Sequence, residues 1–207
     1  MRKNWAALAL TGMLCLTTFA GTQTVSAETA DSAKQVDIVF THDTHSHLNT
    51  FTTIVDEAEK EVGGFARINT LIQEQKAKNP DTLVIDGGDF SMGTLIQTVF
   101  ETQAAEIRML GYMGCDVTTL GNHEFDYRSK GLANMLNSAA ESGDDLPAMV
   151  VCNVDWESME AAGLSEGQQL IRDAFDEYGV SDYVVLEKGD TDLSLIHISE
   201  PTRLGMI

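Results

Sequence analysis

The sequence predicts an α/β fold with a largely parallel sheet, and two observations carry that prediction. Short β-branched runs alternate with helix-period segments from Val36 to Glu187. Three of those runs end in clusters of Asp, His, Asn and Gly, as loops do at the carboxyl edge of a parallel sheet.

The elements follow in order. Val36–Phe40 reads as the first strand, and Phe65, Ile68, Leu71 and Ile72 mark one face of a helix that stops at Asn79-Pro80. Thr82–Asp86 reads as a second strand, and Ile96, Val99, Phe100, Ile107 and Leu110 as one amphipathic helix. Val117–Leu120 is the third strand, with a helix through Leu132, Met135, Leu136 and Ala139. Met149–Cys152 is the fourth strand, with a helix through Leu170, Ile171, Ala174, Phe175 and Tyr178. Tyr183–Glu187 begins another strand, with Lys188-Gly189-Asp190 as a hairpin turn. Glu57–Glu61 reads as a solvated charged segment.

The ends read differently. Met1–Asn4 is a basic start, Trp5–Ala20 an apolar stretch and Val25-Ser26-Ala27 a small-x-small cleavage site, so residues 1–27 are expected to be a signal peptide and 28–35 a polar leader. Thr11, Gly12, Thr17 and Thr18 interrupt the apolar stretch, which disfavours stable membrane insertion. The protein is therefore expected to be exported, to an extracellular, cell-wall or periplasmic location. Leu193–Arg203 resembles the in-frame translation of a transposase library adapter. Residues 193–207 are accordingly expected to be non-native, and His197 receives no role.

Composition bounds the chemistry. An apolar fraction of 43% over 207 residues suffices for a packed core. The formal charge of −19, which becomes −21 once Arg2 and Lys3 are cleaved away, excludes binding a nucleic-acid polymer or anionic membrane through a basic face. A small anionic substrate stays compatible if bound cations reverse the local field. Cys115 and Cys152 sit in or beside apolar runs and read as buried thiols, with no zinc-ribbon spacing.

Three clusters carry the chemistry: Thr41–His47, Asp86–Asp89 and Gly121–Asp126. The topology should bring them together. Asp43 and His45, two apart on a loop, can face one point, and Asp89 has two oxygens with which to bridge two cations. Carboxylate, imidazole and amide donors without thiolates suit Mn, Zn, Mg, Fe or Ca. Asp86 reads equally well as a support of the site or as a strand-end turn residue. His42 and His47 flank the candidate ligands and read as supports behind them or as surface residues, Arg67 as an exposed helix residue, Asn153 as a turn residue, and Phe90 and Met92 as packing residues.

Asp43-x-His45, Gly88-Asp89 with Gly93-Thr94, and Gly121-Asn122-His123-Glu124-Phe125-Asp126 resemble the calcineurin-like metallophosphoesterases. With Gly63-Gly64-Phe65-Ala66-Arg67, the last block is similar to the branch of 5′-nucleotidases, UDP-sugar hydrolases and 2′,3′-cyclic-nucleotide phosphodiesterases. The resemblance implies part of a four-layer α/β/β/α sandwich, with residues 36–192 supplying its N-terminal portion. It implies two divalent metal ions, Asp43 and His45 binding the first, Asp89 bridging and Asn122 binding the second. His123 would stabilise charge or protonate the leaving oxygen, and Asp126 would orient it, while a metal-bridging hydroxide attacks a nucleoside 5′-monophosphate. The family usually has Asn at the position of His42 and Gly at that of Ser46, and it completes its site with downstream histidines that this sequence lacks. The alternatives are a cyclic-nucleotide phosphodiesterase with 3′-nucleotidase activity, a UDP-sugar hydrolase, or an inactive metal-binding fragment.

Overall fold

A computed structural model of the chain describes residues 35–196. The signal peptide, all of the leader but Gln35, and residues 197–207 of the tail lie outside the described residues.

The central sheet has four parallel strands, which lie side by side in the order β1 (Ile38–Thr41), β4 (Leu83–Asp86), β5 (Val117–Thr118) and β6 (Ala148–Met149). Thr41 pairs with Asp86, Ile85 with Val117, and Thr118 with Met149. The strands are shorter than the apolar runs suggested: β1 and β4 begin later, at Ile38 and Leu83, while β5 and β6 end at Thr118 and Met149. A single parallel bridge from Val150 to Ser181 continues the edge.

The helix α1, Phe65–Lys78, follows a hairpin and buries Phe65 and Ile72, with Ile68 packed beside them. Leu71, expected on the same face, is 63% exposed. At 100° per residue it lies a full step around from Ile72, at the edge of the apolar stripe.

The helix expected to run from Ile96 to Leu110 is not continuous. A 3₁₀ turn, Leu95–Val99, leads into α2, Phe100–Gln103, and Ala104 then takes a left-handed conformation (φ 46°) before α3, Ala105–Tyr112. Phe100, Ile107 and Leu110 all reach the core on either side of the break, as their helical spacing required.

Another 3₁₀ turn, His123–Tyr127, precedes α4, Arg128–Ala140, which buries Leu132, Met135, Leu136 and Ala139 as the periodicity required. The short helix α5, Trp156–Ala162, was not expected and is capped by Asp155, whose side chain accepts the Ser158 N–H. Ser165 and Gln168 form a reciprocal capping box that starts α6, Glu166–Tyr178, and Gly179 ends it in the left-handed region.

Two antiparallel hairpins complete the fold. The first, β2 (Phe51–Val55) with β3 (Ala58–Val62), shows Glu57–Glu61 solvated as expected, with Ala58–Glu61 paired in a strand that the sequence did not indicate. Its acids and lysine face solvent from a strand, and a paired but fully wetted ribbon leaves no hydrophobic alternation to read. The second, β7 (Tyr183–Lys188) with β8 (Thr191–Ile196), turns at Gly189 and seats Leu193–Ile196 opposite Tyr183–Leu186. The sequence reading places those four residues outside the native fold. An alternating Leu193-Ser194-Leu195 pattern pairs with a preceding strand whatever its origin. Cys115 is a buried free thiol, as expected, and burial pushes it far above the usual thiol range, whereas Cys152 is only partly buried.

Candidate metal centre

The three polar clusters meet at the carboxyl edge of the sheet. Past Thr41 and Asp86, the loops after β1 and β4 remain paired through backbone hydrogen bonds: Asp43 N–H to Gly88 O at 3.1 Å, His45 N–H to Asp89 O at 3.1 Å, and Ser46 N–H to Phe90 O at 2.8 Å. Asp43, His45, Ser46 and Asp89 all hold positive φ, between 45° and 54°. A non-glycine residue there costs of the order of 1–3 kcal/mol and persists only where its surroundings over-determine it. The inter-loop bonds provide that determination.

The donors come in two pairs. His45 Nδ1 donates to the Ser91 carbonyl at 3.1 Å, and since a carbonyl only accepts, the lone pair is on Nε2. Nε2 lies 4.0 Å from Asp43 Oδ1, within the span one ion covers with bonds of about 2.0–2.2 Å on each side. In the second pair, Asn122 Oδ1 faces Asp89 Oδ2 at 3.1 Å, two acceptors with no proton between them. Turning the amide resolves this, with its nitrogen donating to Asp89 and its oxygen accepting the His123 N–H at 3.3 Å; a cation between the two oxygens resolves it equally well. The donor chemistry therefore fits divalent cations. Among the described residues no three His, Cys, Asp or Glu side chains group closely enough to hold an ion by themselves. The fit rests on these pairs.

His42 donates from Nδ1 to Asp43 Oδ2 at 2.8 Å, and that bond, followed by the electrostatic influence of the His42 and His45 rings, holds the Asp43 carboxyl below its usual range. His123 sits edge-on to His45, ring centres 5.1 Å apart. Its backbone N–H donates to Asp89 Oδ1 at 2.8 Å, and its Nδ1 to Asp126 Oδ2 at 2.7 Å. The Asp126 hydrogen bond raises the His123 pKa, with the charge of Asp89 adding to it. Asp43, His45, Asp89, Asn122, His123 and Asp126 are thus brought into one cluster, with Nε2 of His123 left free.

Sequence reasoning missed Glu124. Nothing in its block sets it apart from its acidic neighbours, and it is fully buried. Its carboxylate accepts Asp89 N–H at 3.1 Å, Gly121 N–H at 2.8 Å, Ser91 N–H at 2.9 Å and Ser91 Oγ–H at 2.7 Å. One side chain thereby ties the loop after β4 to the loop after β5. Asp86, read ambiguously from the sequence, is buried and accepts from Thr41 Oγ1 at 2.7 Å, Gly88 N at 3.0 Å and Thr118 Oγ1 at 3.1 Å, and burial raises its pKa. Gly121 is required by close approach: a Cβ there would overlap the Asp89 carboxylate.

The residues given bland readings behave accordingly. His47 bonds to the Thr44 carbonyl and stacks edge-on against Phe51, Arg67 pairs with Glu61 on the surface, and Asn153 is exposed. Phe90 is fully buried, while Met92 is only partly buried, at φ 61°. A groove of about 740 Å³ lined by Leu48, Arg108, Tyr112 and Asp144 contains none of the donors.

A parallel sheet whose carboxyl-edge loops converge carboxylate, imidazole and amide donors beside an Asp-oriented histidine defines a metallophosphoesterase-type scaffold. The chain belongs to the calcineurin-like phosphoesterase family, which it matches over residues 36–202. It is similar to a probable 5′-nucleotidase of Treponema pallidum (34% identity over 107 residues, 50% of this chain and 18% of that protein) and to an NAD 5′-nucleotidase of Haemophilus influenzae (31% over 114 residues, 53% and 19%). Its fold matches the crystal structure of a 5′-nucleotidase precursor from Thermus thermophilus with a TM-score of 0.61 and 26% identity, covering 79% of this chain and 28% of that one. The chain spans about a fifth of the length of the curated relatives it matches. Among the described residues no helix is long and apolar enough to cross a membrane.

Proposed function

We propose that the protein is an exported, metal-dependent phosphoesterase hydrolysing nucleoside 5′-monophosphates to nucleoside and phosphate. The observation that carries this reading is the convergence of two donor pairs, Asp43 with His45 and Asp89 with Asn122, beside a histidine hydrogen-bonded to Asp126. Asp43 and His45 would hold one divalent ion, Asn122 a second, and Asp89 both. When bound, the ions supply positive charge at the phosphoryl oxygens and acidify a water. His123 keeps its ring fixed through Asp126 and presents Nε2 outward. The raised pKa favours the imidazolium, which can neutralise phosphoryl charge and give its proton to the departing nucleoside oxygen.

The nucleotide preference follows the names of the relatives, and the NAD 5′-nucleotidase among them favours a second reading, cleavage within a pyrophosphate-linked substrate such as a dinucleotide or a UDP-sugar. The test is release of phosphate from AMP and of mononucleotide from NAD and UDP-glucose, with added Mn²⁺, Mg²⁺ or Zn²⁺, on this chain and on its full natural reading frame. Metal-dependent release from AMP supports the first reading, and release of a mononucleotide from NAD or UDP-glucose supports the second. No metal-dependent turnover from the full reading frame would overturn both.

The proposed domain plan is a signal peptide at 1–27, a leader at 28–35, the N-terminal portion of the phosphoesterase domain at 36–192 and an adapter-derived tail at 193–207. N-terminal sequencing of secreted protein should begin at Glu28. Resequencing the source DNA across the codons for Asp192 and Leu193 should replace the tail with new sequence; an unchanged read would overturn the tail assignment.

A further inference from the structure

We propose that Glu106 is a positioning residue for the imidazole of His45, acting through Ser46. The inference rests on reading His45 as a metal donor. His45 and Ser46 are consecutive non-glycine residues at φ 45° and 54°, a conformation that side chains resist. All three polar groups of Ser46 are engaged: its N–H by the Phe90 carbonyl at 2.8 Å, its carbonyl by Thr94 Oγ1 at 2.6 Å, and its hydroxyl by Glu106 Oε1 at 2.7 Å.

The last bond differs from the others, since it joins the loop to a helix, where the Glu106 carboxyl also meets its own backbone N–H. Ser46 and Glu106 are both fully buried, and Glu106 lies in the first turn of α3 beside the buried Ile107. The left-handed Ala104 ahead of it sets the direction of that turn. Burying a carboxyl among apolar side chains is unfavourable unless its hydrogen bonds compensate. Glu106 Oε2 has no partner, and neither has the nearby Tyr127 hydroxyl. An apolar residue would therefore serve packing better. What a carboxyl contributes here is an acceptor aimed at Ser46, which fixes the backbone adjoining His45.

The test uses Glu106→Leu, Glu106→Gln, Ser46→Ala and the double variant Ser46→Gly with Glu106→Leu, with two readouts: hydrogen exchange at the His45 and Ser46 amides, and the Mn²⁺ dissociation constant from electron paramagnetic resonance. Glu106→Leu should lower amide protection at both positions about tenfold or more and weaken Mn²⁺ binding by roughly 10–100-fold, the usual effect of removing a support behind a ligand. Glu106→Gln should keep both within about threefold, because its amide oxygen still accepts from Ser46. The double variant should recover protection, since glycine takes positive φ freely. Ser46→Ala removes the same bond from the other side without adding volume, and should reproduce the loss even if the leucine variant fails to fold. Unchanged protection in Ser46→Ala, or equal losses in Gln and Leu variants, would overturn the proposal. If the parent itself binds no Mn²⁺ while the exchange pattern is as expected, the metal reading fails and the positioning role stands.

Discussion

Glu124 grips Asp89 from behind: its Oε2 accepts the backbone N–H of Asp89 at 3.1 Å and that of Gly121 at 2.8 Å, while its Oε1 holds Ser91. Both oxygens act as acceptors of backbone N–H groups. In Glu124→Gln, an amide nitrogen must face at least one of these donors. The variant should lose about 1–3 kcal/mol of stability, the penalty for a buried donor left unsatisfied. Urea unfolding checks this, and a change below about 0.5 kcal/mol would contradict the staple role.

His123 is hydrogen-bonded to Asp126 and lies outside the donor pairs. His123→Ala should reduce turnover by about 10²–10⁴-fold, the range for removing a general acid, with metal affinity held. Steady-state kinetics alongside Mn²⁺ titration separates the two effects, and unchanged turnover would sink the assigned role.

The carboxylate of Asp126 raises the His123 pKa, so the imidazolium survives to higher pH than a free histidine would allow. Replacing the carboxylate in Asp126→Asn lowers that pKa. The limb of the pH–rate profile that requires imidazolium should then move to lower pH. A limb that stays put would show that His123 does not act as the acid.

A methyl group at Gly121 would meet the Asp89 carboxylate. Gly121→Ala should displace Asp89 and weaken Mn²⁺ binding by roughly 10-fold or more, as disturbing a ligand's support commonly does. Calorimetric titration reads the change directly.

Burial raises Glu106 above its ordinary 4.5. A carboxyl with a higher pKa folded than unfolded favours the folded state most below the unfolded value. That contribution is lost as pH climbs through the interval to the folded value, and is constant above it. Glu106→Gln cannot titrate, so parent and variant should diverge in the variant's favour as pH rises above about 4.5 and run parallel thereafter. Urea melts across that range test the sign, and a divergence in the parent's favour would contradict it.

The sheet and the donor loops were legible because two patterns coincide: β-branched runs such as Leu83-Val84-Ile85, and immediately after them polar residues with no place in a core. The hairpin of β2 and β3 was not, since Glu59, Lys60 and Glu61 lie in a strand wetted on both faces. The break at Ala104 was equally silent. Alanine favours helix and the spacing of Phe100 and Ile107 suits a continuous one, so no local signal marks Ala104 as left-handed. Of the site, Asp43, His45, Asp89, Asn122, His123 and Asp126 could be named from their blocks. Glu106 and Glu124 could not, because whether a carboxylate is buried is decided by elements far away in the chain.

The three backbone bonds that carry the pairing of β1 and β4 beyond Thr41 and Asp86 make the sheet register the ruler of the site. Each residue's distance from its strand end decides which chemical group stands at the mouth. Deleting one residue between Thr41 and His45 would deliver the wrong side chain to a cleft otherwise unaltered, while substitutions that preserve the count leave the spacing intact. Loop length, more than loop composition, is therefore what anyone re-engineering this edge has to conserve.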